Sequence, residues 1–237
     1  ETHPMTWRDF FDRDHALYVN ERHKLLHADL VAKGVAAHIP DANAHVLDYG
    51  CGEALGAPYV SERCAKLYLF DTAPSVRAKL LAATVPRSNV AVLDEAGVAA
   101  IPDKSLDMIV VVSVLQYVAE AELVRLLGTF HDKLKDDGRL VLADIIPKDV
   151  SPVDDARALL EFGLHGGFLT ASVIGLARTA LSDYRTLRQQ YGLSFYDEAD
   201  MREILADHDF TCERAARNIG HNQKRMTFVA RKVVETE

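Results

Sequence analysis

The stretch from residue 45 to residue 71 constrains the fold of this chain more than any other feature. A short apolar run carries Asp48 and leads into three glycines, Gly50, Gly52 and Gly56. A helix is expected next, and a second apolar run then ends on Asp71. Strand, glycine turn, helix, strand and acid are the parts of a nucleotide-binding α/β unit, in which an acid about 20 residues beyond the first glycine accepts hydrogen bonds from ribose hydroxyls. We therefore expect a nucleotide-like ligand at this turn.

The spacing of the glycines separates two classes of cofactor. A dinucleotide fingerprint needs a third glycine where this chain has Leu55, because that glycine packs the helix against the strand. The stretch instead resembles motif I of the class I, Rossmann-like S-adenosylmethionine-dependent methyltransferases, written D/E-x-G-x-G-x-G, with Ala54 in place of the last glycine. The resemblance implies an α/β fold with a seven-stranded, mostly parallel sheet and helices on both faces. It also implies S-adenosylmethionine as cofactor and S-adenosylhomocysteine as product.

The resemblance is strong over residues 45–146 and looser over 195–232. The run 102–107 matches the family's P-x-x-S-F-D, and its register favours Glu95 over Asp94 as the acid that takes the adenine amino group. Tyr18 and Arg22 are candidates for the methionine carboxylate, with simple packing and solvation as the alternative. The other cofactor residues that the resemblance implies are Asp48, Gly50, Cys51, Gly52, Asp71, Thr72, Asp94, Glu95, Ala96, Ser113 and Val114. For Cys51 we expect a small residue that fits the loop, not a nucleophile.

The acceptor side of the site is less defined by the sequence. In the resembling family, residues just beyond the fourth strand face the substrate, and here they are Gln116 and Tyr117. Neither is a base at neutral pH, since a phenol titrates near 10. The candidates for acceptor binding are Gln116, Tyr117, Phe168 and His221, and those for a general base are Asp144, His165 and His221. We expect in-line transfer of a methyl group to a small, apolar or amphipathic metabolite.

Two other function classes stay open at this point. One is a protein that binds S-adenosylmethionine without catalysis, and the other is an NAD-dependent oxidoreductase, which Leu55 disfavours. A metal site is also considered, because His23 and His27 are four residues apart and can share one face of a helix. No third ligand is indicated, so we predict no metal.

We expect a single methyltransferase domain over residues 1–237, built around a cofactor-binding core at 45–146. A helical cap at 5–40 precedes the core, and a helix with two closing strands at 195–232 ends the chain. Between them, residues 148–194 are predicted to form a helical lid after strand 5, with helices at 154–162 and 170–190 separated by glycines and an apolar face toward the substrate. The alternative is a segment that extends the core or forms a dimer contact.

Composition narrows the class of partner. Among 237 residues the net charge is −8, which argues against nucleic acid as the main partner. Three cysteines without a C-x-x-C pair speak against a disulfide framework and a cysteine zinc site. The apolar run in the lid is broken by charges and glycines, so we expect no stable membrane insertion. The expected partner is a small-molecule acceptor, with a possible homodimer through the lid or the N-terminal helices. No segment is built like a signal peptide, and we predict a cytoplasmic protein.

Overall fold

A seven-stranded sheet forms the centre of the protein. The computed structural model describes residues 7–12, 18–83, 87–179 and 192–233. Its strands are β1 (His45–Tyr49), β2 (Lys66–Phe70), β3 (Val90–Leu93), β4 (Leu106–Val112), β5 (Leu134–Ile145), β6 (Phe210–Arg214) and β7 (Met226–Lys232). They lie in the order β3-β2-β1-β4-β5-β7-β6. The first five pair in parallel, and β7 runs antiparallel to both β5 and β6. The predicted seven-stranded, mostly parallel sheet is confirmed.

Strand β4 lies at the centre of the sheet and is buried on both faces. The middle of β4 is an unbroken apolar run, and Met108, Ile109 and Val110 have no exposed surface. Consecutive residues of a strand point to opposite faces, so β4 is covered on both sides. Ile109 belongs to the core on one face of the sheet, whereas Met108 and Val110 belong to the core on the other. Helices on both faces therefore bury the centre of the sheet and leave its strand ends available for a site.

The helices alternate with the strands as the sequence predicts. They are α1 (Trp7–Phe11), α2 (Glu21–Ala36), α3 (Ala57–Ser61), α4 (Pro74–Ala83), α5 (Glu95–Ala99), α6 (Glu120–Lys133), α7 (Pro152–Gly166), α8 (Leu169–Thr179) and α9 (Glu198–Ala206), with a 3₁₀ turn at Leu115–Tyr117. Helix α2 passes through Gly34 and continues to Ala36. Strand β5 begins directly after α6, at Leu134.

The segment predicted as a lid forms two helices, but its break lies later than predicted. Helix α7 continues through Gly163 and ends at Gly166. The next residue, Gly167, is the C-cap and has a left-handed φ of 73°. Gly163 lies inside the helix. Its missing side chain lets α8 approach closely, because a Cβ there would collide with Ser172 Oγ. The predicted continuation of α8 to residue 190 lies outside the described residues beyond 179. We call α7 and α8 together the α7–α8 hairpin.

The apolar face of the α7–α8 hairpin points inward only in part. Phe168 is 4% exposed and packs into the protein interior. Leu164, Leu169 and Ile174 were expected on the same face, but they are exposed by 62%, 39% and 48%. That part of the lid prediction is wrong, because the positions follow the helix around to its outer side. Among the described helices, none is long and apolar enough to cross a membrane.

Candidate active site

A cavity of about 1260 Å³ opens at the carboxyl ends of the parallel strands. Its lining includes Gly50 after β1, Asp71 after β2, Ser113 after β4 and Asp144 near the end of β5. The strand order reverses between β1 and β4, and in open α/β sheets ligands bind at this topological switch point. The cavity therefore stands where the fold itself creates a crevice.

The glycine loop forms the floor of the cavity. Gly50 and Gly52 have φ angles of 78° and 56°, which L-residues with a Cβ rarely adopt. A Cβ at Gly50 would collide with Val114, whereas no atom lies within 4 Å of a Cβ built at Gly52. Ala54 stands where the family commonly has glycine and also has a positive φ, 43°. The open space beside the Gly52 backbone is the room that a ligand needs at this loop.

Asp71 is held against the glycine loop. Its Oδ2 accepts a hydrogen bond from Gly52 N at 3.0 Å, and its Oδ1 accepts one from Ala73 N at 2.9 Å. A carboxylate with four acceptor positions can take two ribose hydroxyls in addition. Thr72 lines the cavity beside it. The predicted ribose acid is therefore in the required place, next to the open side of the loop.

Two further groups of the loop have perturbed acidity. Burial and the neighbouring Asp71 raise the pKa of Asp48 to about 7. Burial, followed by the charges of Asp48 and Asp71, raises the pKa of the Cys51 thiol well above 9.0. A neutral thiol is a poor nucleophile. Cys51 thus occupies the loop as a small residue, in line with the expectation from the sequence.

The predicted adenine acids do not line the cavity. Asp94 uses its side chain as the N-cap of α5, where its Oδ1 accepts from Gly97 N at 2.7 Å. Glu95 lies 3.4 Å from Arg77 in an exposed ion pair, and Ala96 is exposed as well. The structure therefore does not bring these three residues into the site, and the preference for Glu95 over Asp94 stays a prediction.

Tyr18 and Arg22, the two candidates for the methionine carboxylate, lie in different surroundings. Tyr18 lines the cavity, and burial, with a smaller contribution from Glu53, raises its pKa. Arg22 is exposed and donates through Nε to the backbone oxygen of Gly166, at the end of α7. The prediction that Arg22 contacts the cofactor is wrong, because Tyr18 lies before the N-cap Asn20, outside α2, whereas Arg22 lies in the first turn of α2 and its side chain is held by the end of α7.

The cavity is aromatic at the end that follows β4. Tyr117 packs against Trp7 with ring centroids 4.7 Å apart, and against Phe11 at 4.9 Å. All three rings line the cavity. Gln116 also lines it, and its Oε1 is buried with no hydrogen-bond partner among the described residues. Tyr117 and Gln116, which were both predicted on the acceptor side, therefore line the cavity. Tyr117 offers an aromatic ring, and Gln116 offers an oxygen that can accept a hydrogen bond.

Three histidines meet at the α2 side of the cavity. His23 and His27 come from the first turns of α2, and His221 comes from the loop 215–225 between β6 and β7. The ring centroids lie 6.1 Å apart for His23 and His27, 6.1 Å for His23 and His221, and 5.7 Å for His27 and His221. The expectation that the first two have no third partner is wrong, since the fold places His221 beside them.

All three imidazoles are held in the neutral form. Burial and the neighbouring His27 lower the pKa of His23 to about 4. Burial, then His221, lower the pKa of His27 to about 4, although Asp144 opposes the shift. Burial also lowers the pKa of His221. At neutral pH each ring therefore keeps a lone pair for a ligand.

Asp144, near the end of β5, accepts hydrogen bonds from three side chains. It accepts from Ser113 Oγ at 2.7 Å, from Arg225 Nη1 at 2.7 Å and from Asn218 Nδ2 at 3.0 Å. Ser113 and Asp144 also have positive φ angles, 57° and 61°, a strained backbone for residues with a Cβ. The carboxylate oxygens of Asp144 thus accept from three donors, which is an unfavourable environment for a general base.

Arg225 is not among the site residues predicted from the sequence. Its Nη2 reaches Asp155 Oδ1 on α7 at 2.9 Å while its Nη1 holds Asp144. Burial disfavours the charge of Arg225, but Asp144 and Asp155 outweigh it and raise its pKa above the usual range. A lone arginine in a loop carries no signal of such a role, because both partners are distant in sequence.

The last two candidates lie away from the cavity lining. His165 is exposed on α7, and its Nδ1 lies 2.7 Å from Glu161 O on the same helix. The structure therefore contradicts His165 as a base. Phe168 does not line the cavity but stacks on His23, with ring centroids 5.1 Å apart and planes 17° apart. Phe168 can thus act on the site only through the position of that histidine.

Solved structures with the same fold include methyltransferases. Magnesium protoporphyrin IX methyltransferase (ChlM) from Synechocystis PCC 6803, with bound SAH, has a TM-score of 0.58 at 18% identity and covers 95% of this chain and 92% of its own. A SAM-dependent methyltransferase from Aquifex aeolicus has a TM-score of 0.56 at 18% identity, covering 89% and 96%. The mitomycin 7-O-methyltransferase MmcR has a TM-score of 0.60 at 16% identity, covering 87% of this chain and 54% of that one. At these identities the likeness shows the fold.

The family assignment rests on sequence as well as on fold. No curated protein sequence matches this chain. The family described as a methyltransferase domain matches residues 18–215, which include the glycine loop, Asp71, Ser113 and Asp144. The site geometry agrees, since the loop leaves open space beside Gly52 next to an acid that can take a ribose. The chain belongs to the methyltransferase-domain family and is a class I, S-adenosylmethionine-dependent methyltransferase.

Proposed function

We propose that this enzyme methylates a small, apolar or amphipathic acceptor that binds at the aromatic end of the cavity. The observation that carries the proposal is that one cavity is lined by two chemically different sets of residues. One part has the glycine loop and Asp71, and the other has the rings of Trp7, Phe11 and Tyr117 with the free Gln116 Oε1. An apolar lining with a few polar groups is typical of sites for small organic ligands.

The cofactor part has residues for the ribose and for the methionine end of S-adenosylmethionine. We assign the ribose hydroxyls to Asp71 and the backbone approach to Gly50 and Gly52, where a Cβ is excluded or space is open. Tyr18 lines the same cavity and is our candidate for the methionine end. The cofactor, when bound, supplies a methyl group that its sulfonium already activates. The protein therefore needs to add position and orientation, which contribute about 7–11 kcal/mol in favourable cases.

The acceptor part is suited to orientation and to the exclusion of water. Trp7, Phe11 and Tyr117 form a contiguous aromatic surface that a flat or apolar acceptor can pack against. The α7–α8 hairpin lies behind the histidines, with Phe168 against His23 and Phe162 against His221. We propose that the hairpin covers the acceptor end of the site. His221 is the remaining candidate that can accept a proton, since its ring is neutral and lines the cavity.

Replacing Asp71 with alanine should weaken S-adenosylmethionine binding by about 1–3 kcal/mol, or roughly 5- to 150-fold in Kd. The ribose hydroxyls would lose their acceptor, and Gly52 N would lose the bond that holds the loop. Isothermal titration calorimetry on wild type and variant measures both constants. Asp103→Ala is the matched control, because Asp103 is a 70% exposed acid outside the cavity lining that forms an ion pair with Lys133. The assignment is contradicted if the Kd for S-adenosylmethionine is unchanged in the Asp71 variant. It is also contradicted if the wild-type protein gives binding heat with NAD instead of S-adenosylmethionine.

Replacing Tyr117 with leucine should raise KM for the acceptor by about 2- to 12-fold, the equivalent of the 0.5–1.5 kcal/mol that aromatic pairs contribute. The acceptor is first found by incubating the enzyme with methyl-labelled cofactor and a set of small aromatic and amphipathic metabolites. Label should appear in the small-molecule fraction, and the cofactor Kd of the variant should stay within about twofold. Tyr59→Leu is the control, since Tyr59 is a partly buried tyrosine outside the cavity. Transfer of label to RNA or protein instead would contradict a small acceptor.

A further inference from the structure

The histidine cluster described above has a feature that packing alone does not explain. One ring nitrogen from each of His23, His27 and His221 lies within 4.8 Å of the other two. His23 Nε2, His27 Nδ1 and His221 Nδ1 are buried and have no hydrogen-bond partner among the described residues. A buried polar atom without a partner is costly, and three together in one native site require a common explanation.

We propose that His23, His27 and His221 bind one divalent transition-metal ion, Zn²⁺ or an ion of similar ligand preference, with an open coordination position toward the cavity. Imidazole nitrogen is the donor that Zn²⁺, Ni²⁺, Co²⁺ and Fe²⁺ accept readily. Three protein ligands with one position left open are the arrangement of catalytic zinc sites, whereas structural zinc sites are closed by four. A single ion would satisfy all three unpartnered nitrogens at once.

The cluster needs only small movements to reach coordination geometry. Around a tetrahedral ion with metal–nitrogen bonds of about 2.0–2.1 Å, ligand nitrogens lie about 3.4 Å apart, so each ring would shift by less than about 1 Å. One existing contact would be lost: Val19 N donates to His23 Nδ1 at 3.3 Å, and coordination through Nε2 places the ring proton on Nδ1. One long hydrogen bond is exchanged for three coordinate bonds, which favours the ion.

The surroundings hold the rings in a form that can bind a cation. His221 stacks on Phe162 with centroids 5.2 Å apart and planes 15° apart, and His23 stacks on Phe168 in the same way. The two histidines of α2 are further fixed by the N-cap, because His23 N donates to Asn20 Oδ1 at 2.8 Å. Neutral imidazole is the ligating state, and burial keeps all three rings neutral.

The ion has a direct use if the acceptor is a hydroxyl compound, and this part of the inference rests on the proposed function. Coordination of the acceptor oxygen would lower its pKa, as zinc lowers that of bound water to about 7. The O–H bond breaks and its proton passes to solvent water, while the oxygen keeps the electron pair. That pair forms the new O–C bond to the methyl group as the C–S bond breaks, and the pair of the broken bond stays on sulfur. No side-chain base is then needed: the oxygens of Asp144 are occupied, and His221 would serve as a ligand of the ion instead of accepting the proton.

The test uses Co²⁺ binding to the full chain after removal of metals with a chelator. Wild type should bind one equivalent and develop the visible absorption of four-coordinate Co²⁺, which Zn²⁺ then displaces. In His27→Ala the affinity should fall by more than about 100-fold, since even changes outside the ligand shell cost 10- to 100-fold. His221→Asn is the second ligand variant, in case the first does not fold. His165→Ala should bind as wild type, because His165 is exposed and outside the cluster.

Two further measurements separate this inference from the proposed function. S-adenosylmethionine affinity, measured on metal-free protein, should be unchanged in the ligand variants. If Co²⁺ binds as expected but no small acceptor is methylated, the metal site stands and the proposed function fails. If wild type shows no Co²⁺ spectrum, or if His27→Ala and His221→Asn bind Co²⁺ as tightly as wild type, the metal site is overturned, whether or not methyl transfer is found.

Discussion

Replacing Arg225 with methionine is expected to lower the free energy of unfolding by about 3–5 kcal/mol. Arg225 bridges two carboxylates that are themselves largely buried, with side-chain exposures of 10% for Asp144 and 24% for Asp155. Without the guanidinium, both would remain in the protein interior without a counter-charge. Denaturation by urea, followed by circular dichroism, measures the change. The loss would be a large fraction of the stability of a typical domain, which is about 5–15 kcal/mol.

Two variants make this expectation specific to the buried bridge. Arg157→Met removes an arginine from the exposed side of α7, where its pair with Glu161 is 78% and 59% exposed, and should cost less than about 1 kcal/mol. Arg225→Lys keeps the charge but not the fork that reaches both acids, so its stability should lie between wild type and Arg225→Met. Equal losses in Arg157→Met and Arg225→Met would show that the bridge does not fasten the α7–α8 hairpin.

Replacing Asp48 with asparagine is expected to stabilise the cofactor-free protein by about 2–4 kcal/mol at pH 8, and not at all near pH 4. The native pKa of Asp48 is raised to about 7, above its unfolded value of 3.8. Its native state therefore binds more protons than the unfolded state between these values, and stability is lost as pH rises through 7. Asparagine is neutral throughout and removes this loss. The full shift corresponds to about 4 kcal/mol, and we take a lower range because Asp48 is partly accessible in the cavity.

The difference between the two stability curves isolates Asp48 from the histidines. The pKa values of His23 and His27 are lowered to about 4, so their unfolded forms bind more protons below pH 6.5 and stability falls on acidification. That slope is opposite to the one from Asp48, but it is common to wild type and variant and cancels in the difference. Asp149→Asn, an exposed acid, is the control and should give no pH-dependent difference. A constant gain from pH 4 to pH 8 would contradict the raised pKa.

The glycine loop and Asp71 were predictable because their signals are local. The need for positive φ is written into Gly50 and Gly52, since few other residues tolerate it. Asp71 follows an apolar run that ends at the same sheet edge as β1, because parallel neighbouring strands end together. Short-range pattern and strand direction were enough to place these residues side by side.

The acceptor half was predicted less well because its parts come from distant segments. His221 reaches the histidines of α2 only because the loop 215–225 folds back over the carboxyl ends of the strands. The same loop carries Arg225 onto Asp144 and Asp155, which lie in β5 and α7. Sequence spacing contains no record of such contacts, so the histidine pair looked incomplete and Arg225 looked ordinary.

Some errors came from treating a helix as if all its apolar residues shared one face. Leu164 and Ile174 are exposed, while Phe168 at the turn between the helices is buried. Helix periodicity identifies an apolar stripe, but the tertiary packing decides which apolar residues face the core when they extend beyond that stripe. Gly163 is a related case, since it was predicted to break the helix and instead allows two helices to cross closely.

The sequence by itself determined the sheet, its parallel core, the glycine loop and the class of cofactor. Those features depend on backbone conformation and on the alternation of apolar runs, which neighbouring residues specify through sterics and burial. Only the tertiary structure decided that three histidines meet, that Asp144 serves as an anchor and that Arg22 turns away from the cavity. These depend on side-chain positions brought together by the packing of distant elements, where a shift of a few ångströms makes or removes a contact.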